Sequence, residues 1–185
     1  MSDLRAARSK RSSGRPLVTP ASLAEAAAEA DALAAEGHER ELADLRRAWE
    51  DELEGAVRSQ DYRQRAVAYR AIGQFRFRQK AELLRRGLDD ESPACRGSAL
   101  VSLELLSRDA PGAVNAARPL LHRLVSADDN AAVRKLAVLC LRNGSPMRDT
   151  MVLLNGLAED DEVPRDLRDV AAKVAAALKK KADTR

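Results

Sequence analysis

Apolar residues recur at helical spacing along most of the chain, and the spacing itself repeats. Four arginines, Arg65, Arg96, Arg134 and Arg168, are each followed by Ala three residues later and by mostly apolar residues four and seven residues later. Offsets of three, four and seven residues share one face of an α-helix. The stripe consists of Ala68, Tyr69, Ile72, Ala99, Leu100, Leu103, Ala137, Val138, Leu141, Ala171, Ala172 and Ala175. We therefore predict four amphipathic helices in a common register.

A second amphipathic helix is predicted upstream of each of these four. Leucines stand 12 to 14 residues before the respective arginines, at Leu53, Leu84, Leu121 and Leu154. The arginines are 31, 38 and 34 residues apart. Each unit is therefore a helical hairpin that cannot bury its apolar faces alone, and stacked hairpins share one elongated core. The pattern predicts an all-α fold, a right-handed α-solenoid of stacked antiparallel helical hairpins.

An acidic residue precedes three of the arginines by six positions. Asp90, Asp128 and Glu162 occupy this position, while the first unit has Ser59. An acid in the turn before the second helix favours the helix N-terminus, and it can reach the Arg of its own unit or of a neighbouring one. We predict a structural ladder in which Asp90 and Asp128 are assigned to Arg96 and Arg134. Its members are Arg65, Asp90, Arg96, Asp128, Arg134, Glu162 and Arg168.

Three segments carry this combination most fully. They are "LLRRGLDDESPACRGSALVSL", "PLLHRLVSADDNAAVRKLAVLCL" and, more weakly, "LLNGLAEDDEVPRDLRDVAAKVAAAL". The combination resembles HEAT repeats in the short form found in many bacterial proteins, and the resemblance covers about residues 49–178. It implies a curved solenoid that holds other macromolecules, and it carries over no catalytic residue.

The repeats predict the organisation of the rest of the chain. Residues 1–19 hold five basic side chains and one acid without a periodic stripe, so we expect a disordered basic tail. Residues 20–38 are expected to form an N-terminal capping helix that ends at Gly37. Its start is placed either at Thr19 with Pro20 or at the capping box of Ser22 and Glu25. About four HEAT-like hairpins follow over residues 39–181, and a C-terminal tail over 182–185.

No cluster of reactive side chains indicates catalysis. His38 and His122 are far apart and belong to no HExxH motif, and Cys95 and Cys140 belong to no CxxC motif. The histidines are predicted to be surface or helix-end residues and the cysteines to be small core residues. We expect no enzyme activity, no metal and no cofactor. The sequence has no apolar run near 18 residues and no signal-peptide core, so a cytoplasmic protein without membrane contact is expected.

Charge is distributed unevenly. Residues 59–86 sum to +6, whereas residues 21–58 sum to −7. The basic stretch contains a candidate partner-binding or phosphate-binding patch of Arg70, Arg76, Arg78, Lys80, Arg85 and Arg86, with Phe75 and Phe77 among them. The alternative is that the acidic stretch neutralises it, or that it is a solvated helix face.

Two functions remain in contention. The leading hypothesis is a non-enzymatic protein–protein interaction scaffold or adaptor that uses a solenoid surface. The alternative is a nucleic-acid-associated protein that uses the basic tail and the Arg-rich stretch 63–86, with weak and non-specific binding.

Overall fold

The computed structural model describes residues 20–184, so the expectation of a disordered tail over 1–19 lies outside the described residues. All regular secondary structure within 20–184 is helical. The α-helices are α1 (Leu23–Glu36), α2 (Glu39–Val57), α3 (Tyr62–Gln74), α4 (Ala81–Gly87), α5 (Pro93–Ser107), α6 (Gly112–Ala127), α7 (Ala131–Leu141), α8 (Arg148–Glu159) and α9 (Arg165–Asp183). A short 3-10 turn, Arg78–Lys80, precedes α4. The last helix therefore extends two residues into the segment expected to be a C-terminal tail.

The helices pair into four hairpins, α2–α3, α4–α5, α6–α7 and α8–α9, that stack in two rows. The second helices, α3, α5, α7 and α9, pack directly side by side, and α1 packs against the free side of α3. The first helices, α2, α4, α6 and α8, approach one another much less closely. We call the closely packed row of second helices the inner row and the row of first helices the outer row. The predicted all-α solenoid is confirmed.

The predicted stripe forms the centre of the core. The four Ala residues three positions after each ladder Arg are fully buried, and so are Leu53, Leu84, Leu121 and Leu154 on the first helices. Ala172 is the exception, because it is exposed while Val174, Ala175 and Leu178 are buried. The prediction that Ala172 is a core residue is therefore wrong. Within residues 20–184 no further hairpin follows α9, so this side of the helix is not covered.

The first helix begins at the capping box rather than at Pro20. Ser22 accepts a hydrogen bond from the backbone N–H of Glu25, and the Glu25 carboxylate accepts one from the backbone N–H of Ala21 at 2.8 Å. Gly37 ends α1 with a φ of 75°, a left-handed conformation that Gly adopts without strain.

Helices α3 and α5 approach so closely that their contact requires a glycine. A Cβ added at Gly73 would lie 2.7 Å from the Cα of Ser102. The Ser102 hydroxyl donates to the carbonyl of Tyr69 at 2.7 Å and accepts from the backbone N–H of Gly73 at 3.2 Å. In the next helix pair, the thiol of Cys140 stands in the corresponding position and donates to the carbonyl of Leu100 at 3.1 Å. Small side chains with a polar atom thus join successive second helices.

Candidate interaction surface

Two ladder arginines link successive repeats through bidentate ion pairs. The Nε and Nη2 atoms of Arg65 lie 2.8 and 2.9 Å from the carboxylate of Asp90, and those of Arg96 lie 2.7 and 3.0 Å from Asp128. Each acid therefore belongs to the repeat after that of its Arg. The assignment of Asp90 to Arg96 through its carboxylate is wrong, because Arg96 instead donates to the backbone carbonyl of Asp90 at 2.9 Å.

The ion pair of the first repeat shifts the pKa values of both partners. Burial alone would raise the pKa of Asp90, but the hydrogen bonds from Arg65 and from the backbone N–H of Ser92 hold it below its ordinary value. The hydrogen bond to Asp90 raises the pKa of Arg65 above its ordinary value against the effect of burial. Both groups are therefore charged over the physiological range.

The ladder was predicted to continue through the last two repeats, but it does not. The Nε of Arg134 donates to the carbonyl of Val125 at 2.9 Å, and no residue between 20 and 184 offers Arg134 a carboxylate. Arg168 pairs with Asp161, while Glu162 is exposed and forms no ion pair with a described residue. The assignment of Asp128 to Arg134 is wrong, and so is the inclusion of Glu162 in the ladder.

The structural counterpart of Asp90 and Asp128 in the last repeat is Asp160. Each of these three carboxylates accepts a hydrogen bond from the backbone N–H two residues later, at 2.9, 2.8 and 2.9 Å respectively. Asp160 stands eight residues before Arg168, because the turn "EDDEVP" is longer than the others. A spacing of six residues therefore predicts Glu162, whereas the structural counterpart is Asp160.

The basic stretch does not form a free phosphate-binding patch. Three of its guanidinium groups form ion pairs. The distance from guanidinium nitrogen to carboxylate oxygen is 2.8 Å between Arg76 and Asp31, 3.6 Å between Arg78 and Asp109, and 3.0 Å between Arg85 and Glu82. Lys80 is largely buried between Glu50 and Glu54 of the acidic stretch. Of the six predicted patch residues, Arg70 and Arg86 alone lack a carboxylate partner within the described part of the chain. These contacts favour the alternative interpretation, in which the acidic stretch neutralises part of the basic one, because α1 supplies Asp31 and α2 supplies Glu50 and Glu54.

One of these basic residues, Arg76, instead binds the C-terminal end of α3 together with Arg46. Arg76 adopts a left-handed φ of 55°, and its guanidinium donates to the carbonyl of Gly73 at 2.8 Å. Arg46, on α2, donates to the carbonyl of Phe75 at 2.6 Å, so two guanidinium groups satisfy the C-terminus of this helix. Phe75 and Phe77 are buried, with ring centroids 5.6 Å apart. The aromatic and basic residues of "QFRFRQK" therefore stabilise the end of α3.

The exposed side of the second helices is the surface that remains for a partner. Residues two positions before, and two, five and nine positions after, each ladder Arg lie opposite the buried stripe. We call these positions on α3, α5, α7 and α9 the second-helix face. In α5 they are Ala94, Ser98, Val101 and Leu105, and in α7 Ala132, Leu136 and Leu139. In a chain with 33% charged residues, this central part of the face carries no charge.

The centre of the face is apolar and accessible, whereas its two ends carry charged side chains. Val101, Leu105, Leu136 and Leu139 are all partly exposed. Arg63 and Arg70 lie on the face at α3, and Asp166 and Lys173 lie on it at α9. None of these three cations forms a salt bridge with any residue in 20–184. The arrangement of an apolar centre with a charged rim is typical of protein–protein interfaces.

The cysteines and histidines form no reactive centre in the described residues. Burial raises the pKa of the thiols of Cys95 and Cys140, so both stay protonated, as expected of core residues. His122 is not a surface or helix-end residue, because it is partly buried in α6 and its Nε2 lies 2.9 Å from the hydroxyl of Thr150. Burial and the charge of Arg118 lower its pKa. Residues 20–184 contain no group of side chains arranged to hold a metal ion.

Comparison with known proteins identifies the repeats. A family model described as HEAT repeats matches residues 53–142, which extend from the end of α2 to the end of α7. These residues belong to the HEAT-repeat family, as the sequence pattern predicted. HEAT repeats generally mediate protein–protein interaction and are typically non-enzymatic. A search of curated proteins found no match to the chain. In the described residues, no helix is both long and apolar enough to span a membrane.

Proposed function

We propose that the chain is a protein–protein interaction scaffold or adaptor that binds its partner through the second-helix face. The observation that carries the proposal is the uncharged centre of this face, where Val101, Leu105, Leu136 and Leu139 remain partly exposed on two adjacent helices. Exposed apolar side chains grouped on one surface mark an interaction site more often than scattered ones do.

The energetic argument rests on these four side chains. Complete burial of a Val or Leu side chain contributes about 1.5–3 kcal/mol, and each of these side chains is already partly buried, so its further contribution is smaller. Together they form a cluster that a partner can dehydrate without breaking a hydrogen bond or an ion pair of the fold. A few apolar anchors surrounded by polar contacts supply most of the binding energy in many interfaces.

Affinity capture with matched variants tests the proposal. The test variant combines Leu105→Glu with Leu139→Glu on the second-helix face. The control is Val152→Glu on α8, in the outer row, where Val152 is 64% exposed and contributes little to the core. Proteins that the parent and the Val152→Glu variant retain, and the double variant loses, are partners at this face. Equal recovery with all three proteins, at unchanged melting temperatures, would contradict the proposal.

The geometry of the basic stretch does not favour a nucleic-acid function for residues 63–86. Arg65 is held by Asp90, and the ion pairs of Arg76, Arg78, Lys80 and Arg85 remove further charge from the predicted patch. Phosphate binding requires several unpaired cations on one surface.

A further inference from the structure

An apolar groove lies where the first hairpin meets the capping helix. It has a volume of about 620 Å³ and is bounded by the N-terminus of α1, the last turns of α2 and the first turns of α3. Leu23, Ala56 and Val67 line its apolar part, while Glu52 and Arg63 stand on different helices at its edges. This volume is within the range of sites that enclose a small ligand or a large side chain.

Two features leave the groove open to a partner. Gly55 lies along it on α2, and a Cβ added there would meet no atom within 4 Å. Val67 is 38% exposed, although it lies on a helix whose other face is in the core. Val67 also stands two positions after Arg65 and thus belongs to the second-helix face. The groove is therefore the continuation of that face at the N-terminal end of the solenoid.

The α3 side of the groove carries unpaired positive charge. Arg63 and Arg70 are seven residues apart and share one side of α3. The guanidinium of Arg63 lies 5.6 Å from the centre of the Tyr62 ring, and neither Arg forms a salt bridge with residues 20–184. Glu52, on α2, gives the other side of the groove a negative charge. A ligand with carboxylates is attracted to the α3 side and repelled from the α2 side.

We infer that this groove is an anchor site for a protein segment that carries a large apolar side chain with acidic residues next to it. The apolar side chain enters the groove over Gly55 and contacts Leu23, Ala56 and Val67. The acidic residues lie along α3 and bind Arg63 and Arg70. The inference rests on the proposed function, because it names the chemistry of a partner for one end of the second-helix face.

Selection from a phage-displayed library of random 12-residue peptides on the full chain tests the inference. The enriched peptides are expected to share a Leu, Ile, Phe or Trp with Asp or Glu within a few positions of it. One such peptide is then synthesised with a fluorescent label, and its binding is measured by anisotropy. Gly55→Trp fills the groove, and Gly55→Ala is its control because an added methyl group leaves the groove open. Arg63→Glu reverses the charge on the α3 side.

The expected result is a loss of affinity of at least about tenfold for Gly55→Trp and for Arg63→Glu, with little change for Gly55→Ala; tenfold corresponds to about 1.4 kcal/mol. A peptide in which Lys replaces its acidic residues should bind Arg63→Glu better than the parent. Failure to enrich peptides of this kind, or equal binding by Gly55→Trp, would overturn the inference. Binding seen only after removal of residues 1–19 would assign the groove to that segment and would also overturn it.

The outcome is separable from that of the proposed function. The variant with Leu105→Glu and Leu139→Glu changes the centre of the second-helix face and leaves the groove unaltered. If its partners are lost while the groove variants have no effect on peptide binding, the proposed function stands and the anchor site does not. If the groove variants impair peptide binding while the double variant keeps all captured partners, the anchor site alone stands.

Discussion

Removal of the Asp128 carboxylate is expected to destabilise the fold strongly, because Asp128 joins two repeats. Its side chain is 3% exposed and accepts two hydrogen bonds from Arg96, whose side chain is 16% exposed. The same carboxylate also accepts a hydrogen bond of 2.8 Å from the backbone N–H of Asn130. Asp128→Ala leaves the guanidinium of Arg96 without its counter-charge at a site that little water reaches.

The magnitude follows from this burial. Removal of one partner from a buried ion pair costs about 3–5 kcal/mol, and the residual exposure of Arg96 places the expected loss near the lower end, about 3 kcal/mol. For a domain of this size that loss lowers the melting temperature by roughly 6–12 °C. Asp128→Asn keeps one acceptor and should cost less, about 1–2 kcal/mol.

Urea unfolding followed by circular dichroism measures these differences. Arg108→Ala is the matched control, because Arg108 pairs with Glu104 on one helix but is 60% exposed, so its loss should cost less than about 0.5 kcal/mol. A double-mutant cycle of Arg96→Ala and Asp128→Ala isolates the energy of the pair. A cost for Asp128→Ala no larger than that for Arg108→Ala would refute the argument that the ladder joins the repeats.

Three further predictions use other parts of the structure. Gly55→Ala should stabilise the fold by about 0.5–1 kcal/mol, because Ala has a higher helix propensity than Gly and its Cβ would meet no other atom. Gly73→Ala should destabilise the fold, because the added Cβ would overlap the backbone of Ser102. Thermal melts in which both variants shift in the same direction would contradict this prediction. The pKa of Asp90 is lower in the folded state, so the stability that it adds is fully present above its unfolded pKa of about 3.9 and is lost as pH falls through the folded value. The difference in melting temperature between the parent and Asp90→Asn should therefore stay constant above about pH 5 and narrow below about pH 4. Binding of random duplex oligonucleotides, measured by anisotropy, should be no tighter than about micromolar at physiological salt, and submicromolar binding that survives removal of residues 1–19 would contradict the account.

The architecture followed from the sequence because its determinants are local. Offsets of three, four and seven residues place side chains such as Ala99 and Leu103 on one helix face whatever the neighbours are, and repetition of the pattern predicts stacking. The same register also locates the second-helix face. Positions two and five residues after each ladder Arg are uncharged in α5 and α7, so the sequence alone carries a signal for this surface.

The ion pairs could not be assigned from the sequence because they depend on distances between repeats. Asp90 stands 25 residues after Arg65 but only six residues before Arg96, and the stacking of the hairpins brings the more distant Arg65 to its carboxylate. Likewise, Lys80 is buried because α2 brings Glu50 and Glu54 beside it, a contact between segments that spacing along the chain does not predict.

Site-specific photo-cross-linking tests the central claim most directly. A photoreactive phenylalanine derivative is placed at Leu139 on the second-helix face or at Val152 on the outer row, and cells that naturally express the chain are irradiated. The account predicts a discrete covalent adduct with a protein from position 139 and none from position 152. An adduct from position 152 without one from position 139 would contradict the claim that the second-helix face binds the partner.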